Sequence, residues 1–93
     1  MFNKVKEVKP LDDYKLLVYF FDGNERLYDV KQLFNEIPPF SSLEQIPGLF
    51  ECVKVDAGGY GISWNDELDL ACDELYYNGY ISGLDRFCQK KHQ

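Results

Sequence analysis

Basic charge is scarce in this sequence: ten Lys and Arg stand against sixteen Asp and Glu, a net charge of -6. Phosphate recognition needs a basic surface, and Lys4, Lys6 and Lys9 with a few cations near the end do not make one, so direct nucleic-acid binding is not expected. Histidine is scarcer still, with His92 beside the final Gln93 as the sole imidazole. A serine or cysteine nucleophile would lack an obvious base, and no glycine-rich loop ends in Lys followed by Ser or Thr to cradle a phosphate. Long apolar runs are missing too. The longest, Leu16 to Phe21, falls far below the ~20 residues that a membrane-spanning helix needs. Met1 to Pro10 alternates lysines with valines and has no apolar core of a secretory signal, so a cytoplasmic chain is expected. Cysteines number three, widely spaced at Cys52, Cys72 and Cys88. An odd count of this kind argues for reduced thiols instead of a disulfide framework.

What the chain does have is apolar and aromatic material, 45% and 16% of its 93 residues. That is enough for one domain with a modest core, burying roughly 60 to 65% of the unfolded surface. Tyr14 to Phe21 is rich in β-branched and aromatic residues, Asp22-Gly23 supplies a turn, and Leu27 to Val30 resumes the alternation, which predicts a β-hairpin. Leu16, Val18 and Phe20 occupy one face of its first strand, and Leu17, Tyr19 and Phe21 the other. Neither face is polar, so this strand is expected to be central and covered on both sides. The turn has two residues or four, running through Glu25. Val5 and Val8 suggest a short edge strand ahead of it, with Lys4, Lys6 and Lys9 discouraging further pairing.

Pro38, Pro39 and Pro47 forbid one continuous helix in the middle of the chain, leaving a short turn capped by Ser41 with Phe40, Leu43 and Ile46 on one side. From Phe50 the period returns to two. Val53 and Val55, the "AGG" turn at 57–59, and Tyr60, Ile62 and Trp64 predict a second hairpin. Asp69 to Tyr77 reads as a short helix with Leu70, Leu75 and Tyr76 inward. The expected fold is therefore α+β, a small mainly antiparallel β-sheet of two hairpins with short helices packed on it. Residues 1–78 form a single domain, and 79–93 a tail with a short helix carrying Leu84, Phe87 and Cys88 on one stripe.

Two metal sites can be tested on spacing. With Asp56 as position one of a calcium loop, Gly61 and Glu67 fall where a glycine and a bidentate carboxylate belong. Gly58 and Tyr60, however, occupy positions that need oxygen ligands, and the flanks read as strands. A zinc site from Cys52, Cys72, Cys88 and His92 would have only one closely spaced ligand pair. Neither a metal nor a cofactor is expected, and no catalytic residue is assigned. Asp66 and Asp69 are not expected to act as an acid and base pair, because turn formation and the helix dipole already account for acids there.

Two binding surfaces emerge from what is left. Asp66, Glu67, Asp69, Asp73 and Glu74 form a concentrated negative stretch suited to steering a basic protein partner. Alternatively, Tyr60, Trp64, Tyr76, Tyr77 and Tyr80 line a cleft of a small-ligand sensor. Edge strands and the amphipathic tail also offer routes to a homodimer.

The series Leu16 to Phe20, Asp22-Gly23, Arg26, Asp29, Phe40 with Leu43, Phe50, Val53, Val55, Ile62, Trp64, Asp69 and Leu75 resembles the small bacterial domain-of-unknown-function family DUF2442. The likeness covers about residues 4 to 77 and rests on an "F-D-G" turn, an "F-x-x-L" segment and a "W…D-L" segment. It implies an α+β domain, alone or joined to a helix-turn-helix DNA-binding domain, and small proteins encoded beside a second one in the manner of toxin and antitoxin pairs. It brings no catalytic residues. Asn65-Asp66-Glu67 replaces the usual Pro-Asn-Gly-like turn, and the stretch beyond Tyr77 is too short for a helix-turn-helix. The function expected is a noncatalytic protein-interaction domain, the partner-binding or antitoxin-like member of a two-protein system.

Overall fold

The computed structural model describes residues 3–81, and the strands within them form two antiparallel sheets. The larger sheet has the order β1-β2-β3-β7, from β1 (Val5–Leu11), β2 (Lys15–Phe20), β3 (Glu25–Asp29) and β7 (Tyr80–Ile81). The smaller has the order β4-β5-β6, from β4 (Lys54–Val55), β5 (Gly61–Ser63) and β6 (Asp69–Ala71). The α+β class stands, with the two expected hairpins in separate sheets. Short helices α1 (Leu33–Glu36), α2 (Ser42–Gln45) and α3 (Cys72–Asn78) complete it.

The β2–β3 turn has three residues, neither the two nor the four expected. Phe20 N donates to Asn24 O at 2.9 Å, so Phe21, Asp22 and Gly23 form the reversal. Asp22 Oδ1 accepts from Asn24 N at 2.9 Å, and Gly23 takes φ +92°, a conformation that a side chain would strain.

Val5 and Val8 are three residues apart and would face opposite ways on a regular strand. A register shift between Val5 and Glu7 corrects this: Val5 lies opposite Phe20 and Val8 opposite Val18. Lys6 is the extra residue of a bulge, and both valines reach the inner face.

That face holds the core. Val5, Leu16, Val18, Phe20 and Tyr28 bury themselves against Val30, Leu33, Ile62, Leu70, Cys72 and Leu75. Trp64 sits between Phe40 and Phe50, with centroids 5.9 and 6.2 Å away, and its Nε1 donates to Phe50 O at 3.0 Å. The two sheets meet where Gly59 (φ +79°) passes β1. A Cβ there would come within 2.7 Å of Val5 O, so only glycine admits the approach.

Three expectations need correction. β2 is not covered on both sides: Leu16, Val18 and Phe20 are buried, Leu17 and Tyr19 are half-buried, and Phe21 is 66% exposed. Every helix packs on the inner face, so the outer one has no second layer among the described residues. Asp69–Ala71 is strand, not helix, because Leu68, Leu70 and Cys72 are buried in alternation and β6 pairs with β5. The helix begins only at Cys72. Ser41 provides no side-chain cap; its Oγ donates back to Pro38 O at 2.8 Å. Phe40 and Leu43 are buried as expected, but Ile46 is 52% exposed. The tail helix lies outside the described residues, although Tyr80–Ile81 already belongs to the sheet.

The asymmetry of β2 is measurable by urea unfolding. Leu16→Ala removes a fully buried side chain and is expected to cost ~2 to 5 kcal/mol, while Leu17→Ala should cost under about 1.5 kcal/mol.

Candidate functional site

The structure does not gather the acidic stretch into one cluster. Asn65 Oδ1 accepts from Glu67 N and Leu68 N, both at 2.9 Å, and this turn leaves Asp66 and Glu67 exposed at its tip. Asp69 is exposed on β6, and Asp73 starts α3 beside the Cys72 thiol. Burial, with the Asp73 charge beside it, pushes that thiol up from its usual range.

Glu74 has structural work. Its Oε2 accepts from Tyr28 OH at 2.7 Å and its Oε1 from Asn78 Nδ2 at 2.8 Å. Burial first, and the Glu74 carboxylate second, push the Tyr28 phenol well above its ordinary value of 10.0.

The candidate aromatics are dispersed as well. Trp64 belongs to the core. Tyr76 packs edge-on against Phe20 at 4.9 Å, lies 4.3 Å under the Arg26 guanidinium, and donates from its OH to Asp22 Oδ2 at 2.9 Å. The Asn24 amides hold the Asp22 carboxyl below the usual range, with Tyr76 adding to the effect. Tyr60 lies near Lys4, whose ammonium is 5.1 Å from its ring. Tyr77 is 70% exposed on α3, and Tyr80 stands on the far side of the larger sheet, opposite Leu27.

Two surface depressions were not anticipated. One, of about 300 Å³, lies between the β1–β2 connection and the Pro47-Gly48 turn, with Asp12, Asp13, Glu44 and Glu51 around Leu11, Ile46 and Phe50. Asp13 and Tyr14 both have positive φ there. Lys31 and Lys15 clasp Asp13 at 2.6 and 3.1 Å and hold its carboxyl below the usual range. Tyr14 stacks edge-on against Phe34 and Phe50. The other, of about 540 Å³, is lined by Lys4, Lys6, Phe21, Val55, Asp56 and the Gly58-Gly59 turn. Among the described residues no group of three or more His, Cys, Asp or Glu is placed to hold a metal ion. Cys88 and His92 lie outside them.

The most distinctive surface is the outer face of the larger sheet. By register Leu11, Lys15, Leu17, Tyr19, Leu27 and Tyr80 share it. None of them joins the core or packs against it, and Leu11 and Tyr80 are 40% and 42% exposed. The doubly apolar pattern of β2 was the visible signal. The missing information was that no described element follows to cover the second side.

A family model, described as a protein of unknown function (DUF2442), matches residues 5–80, from the first residue of β1 into β7. The chain belongs to the DUF2442 family. No curated protein and no solved structure matches it. The family match takes in the larger sheet almost to its last residue, so the outer face is part of the DUF2442 domain itself.

Tyr28 makes the domain sensitive to alkali. Its folded value lies above the unfolded one, so the folded state keeps a proton that the unfolded state loses above about pH 10. Stability should be constant with respect to this group below pH 10 and fall as pH rises beyond it. Urea midpoints measured from pH 8 to 11 should drop for the wild type and drop less for Tyr28→Phe.

Proposed function

We propose that this DUF2442 chain is a noncatalytic protein-interaction domain of the bacterial cytoplasm, the partner-holding member of a small two-protein system. One observation carries the reading: the outer face of the β1-β2-β3-β7 sheet presents Leu17, Tyr19, Leu27 and Tyr80 with no described element over them. Contiguous apolar surface rimmed by polar residues is a mark of protein association. Among the described residues no helix is long and apolar enough to cross a membrane. The two-protein arrangement draws on the resemblance to DUF2442 members encoded in pairs.

A small-ligand sensor is the second reading, and the 540 Å³ cleft beside Gly58-Gly59 favours it. Its single aromatic is Phe21, which is not one of the tyrosines expected to line a cleft. A metabolite that raises the melting temperature in proportion to its concentration would shift weight to it.

The interaction reading is tested by mild-salt affinity capture from native lysate with mass-spectrometric identification. A stoichiometric partner, which includes untagged copies of the chain, is expected on the wild type and at least ~10-fold less on Leu17→Glu/Leu27→Glu. Asp66→Asn/Glu67→Gln/Asp69→Asn should retain it with a weaker salt dependence. Equal capture by all three proteins would refute the role of the outer face.

A further inference from the structure

We propose that the occupant of the outer sheet face is a second copy of this chain, packed face to face about a two-fold axis. The inference rests on the interaction reading above and names its partner. Charge decides between a copy and a foreign partner. The body as a whole is acidic, but this face carries both signs: Lys9 and Lys15 on β1 and β2, Glu25 and Asp29 on β3. Glu7, at one corner of β1, is the exception. A strongly basic protein gains little there, whereas a surface with opposite signs on its two halves is complementary to itself.

The register makes that complementarity specific. A two-fold axis running along the strands, between β2 and β3 and midway between the copies, sets β2 of each over β3 of the other at the same level. It likewise sets β1 over β7. In each chain Leu17 is level with Leu27, Lys15 with Asp29, Tyr19 with Glu25, and Tyr80 with Leu27. Across the axis Leu17 therefore meets Leu27 of the second copy and the Tyr19 hydroxyl meets its Glu25, while Lys15, held 3.1 Å from its own Asp13, comes level with Asp29 of the second copy, whose Oδ1 accepts from Lys31 N. Lys9, level with Leu17 and already 5.6 Å from the Tyr19 ring, meets Tyr80 of the second copy. Sheets pack about 10 Å apart at roughly -30°, a spacing these side chains fill.

The footprint is small. Four strands at about 4.8 Å spacing, the longest about 20 Å and β7 only two residues, give roughly 300 to 400 Å² in projection. That is short of the ~800 Å² per partner of a standard stable interface, so the dimer belongs in the micromolar range. The free edge of β1 is a poorer route, because Pro10 lacks an N–H and Lys6 forms the bulge.

Sedimentation velocity on the full 93-residue chain from about 1 to about 200 μM tests this. The sedimentation coefficient of the wild type is expected to rise with concentration from monomer toward dimer. Leu17→Asp and Leu27→Lys, both at half-buried positions, should each stay monomeric while keeping the wild-type circular dichroism. Mixed in equal amounts they should recover the heavier species, since Asp at 17 of one meets Lys at 27 of the other. A wild type that is monomeric throughout, single variants that still dimerise, or a mixture that stays monomeric would each overturn the proposal. If the wild type is monomeric and the face variant still loses a captured foreign protein, only the second copy is wrong. If capture is also unaffected, the interaction reading falls with it.

Discussion

The inner face of the larger sheet is the surface on which everything else in this domain leans. Val5, Leu16, Val18, Phe20 and Tyr28 present one apolar plane, and the smaller sheet and the helices all gather on it. The plane depends on two local devices. The Lys6 bulge brings Val5 and Val8 to the same side, and Gly59 lets the turn before β5 approach the Val5 backbone of the larger sheet. Because one plane organises the packing, its reverse side is left without a layer among the described residues. The partial exposure of Leu17 and Leu27 and the exposure of Tyr80 follow from the way the core forms.

The carboxylates serve two different ends. Glu74, Asp13, Asp22 and Asp56 are tied into the fold, by Tyr28, by Lys15 and Lys31, by Asn24 and Tyr76, and by Ser63 respectively. Asp66, Glu67 and Asp69 have no comparable structural role and face solvent. Counting charges along the sequence cannot separate these groups, because partners such as Tyr28 and Glu74 are 46 residues apart.

Much of the fold is legible in the amino-acid sequence. The β2–β3 hairpin, the edge strand before it, the β4–β5 hairpin and the family all follow from local alternation, turn residues and a few spaced motifs. The errors occurred where local and tertiary preferences compete. Asp69 to Ala71 has acidic residues suited to a helix start, but burial of Leu68, Leu70 and Cys72 in step with β5 overrides that preference. The site was less legible than the fold. Tyr60, Trp64, Tyr76 and Tyr77 looked like one aromatic group because they are near in sequence, yet they separate into core, turn clasp and surface. The outer face draws on β1, β2, β3 and β7, strands that are more than 50 residues apart at the extremes, and only pairing brings them level.

The end strand β1 has a further effect on what this protein can build. An unpaired strand is ordinarily a template on which identical chains add without limit. Here the bulge at Lys6 bends that template and Pro10 removes one of its donors. In the proposed dimer the flat of the sheet takes the place of this edge, and a two-fold contact occupies both surfaces at once. The proposed two-fold contact would close at two chains, unlike edge-to-edge pairing, which is the route to fibres.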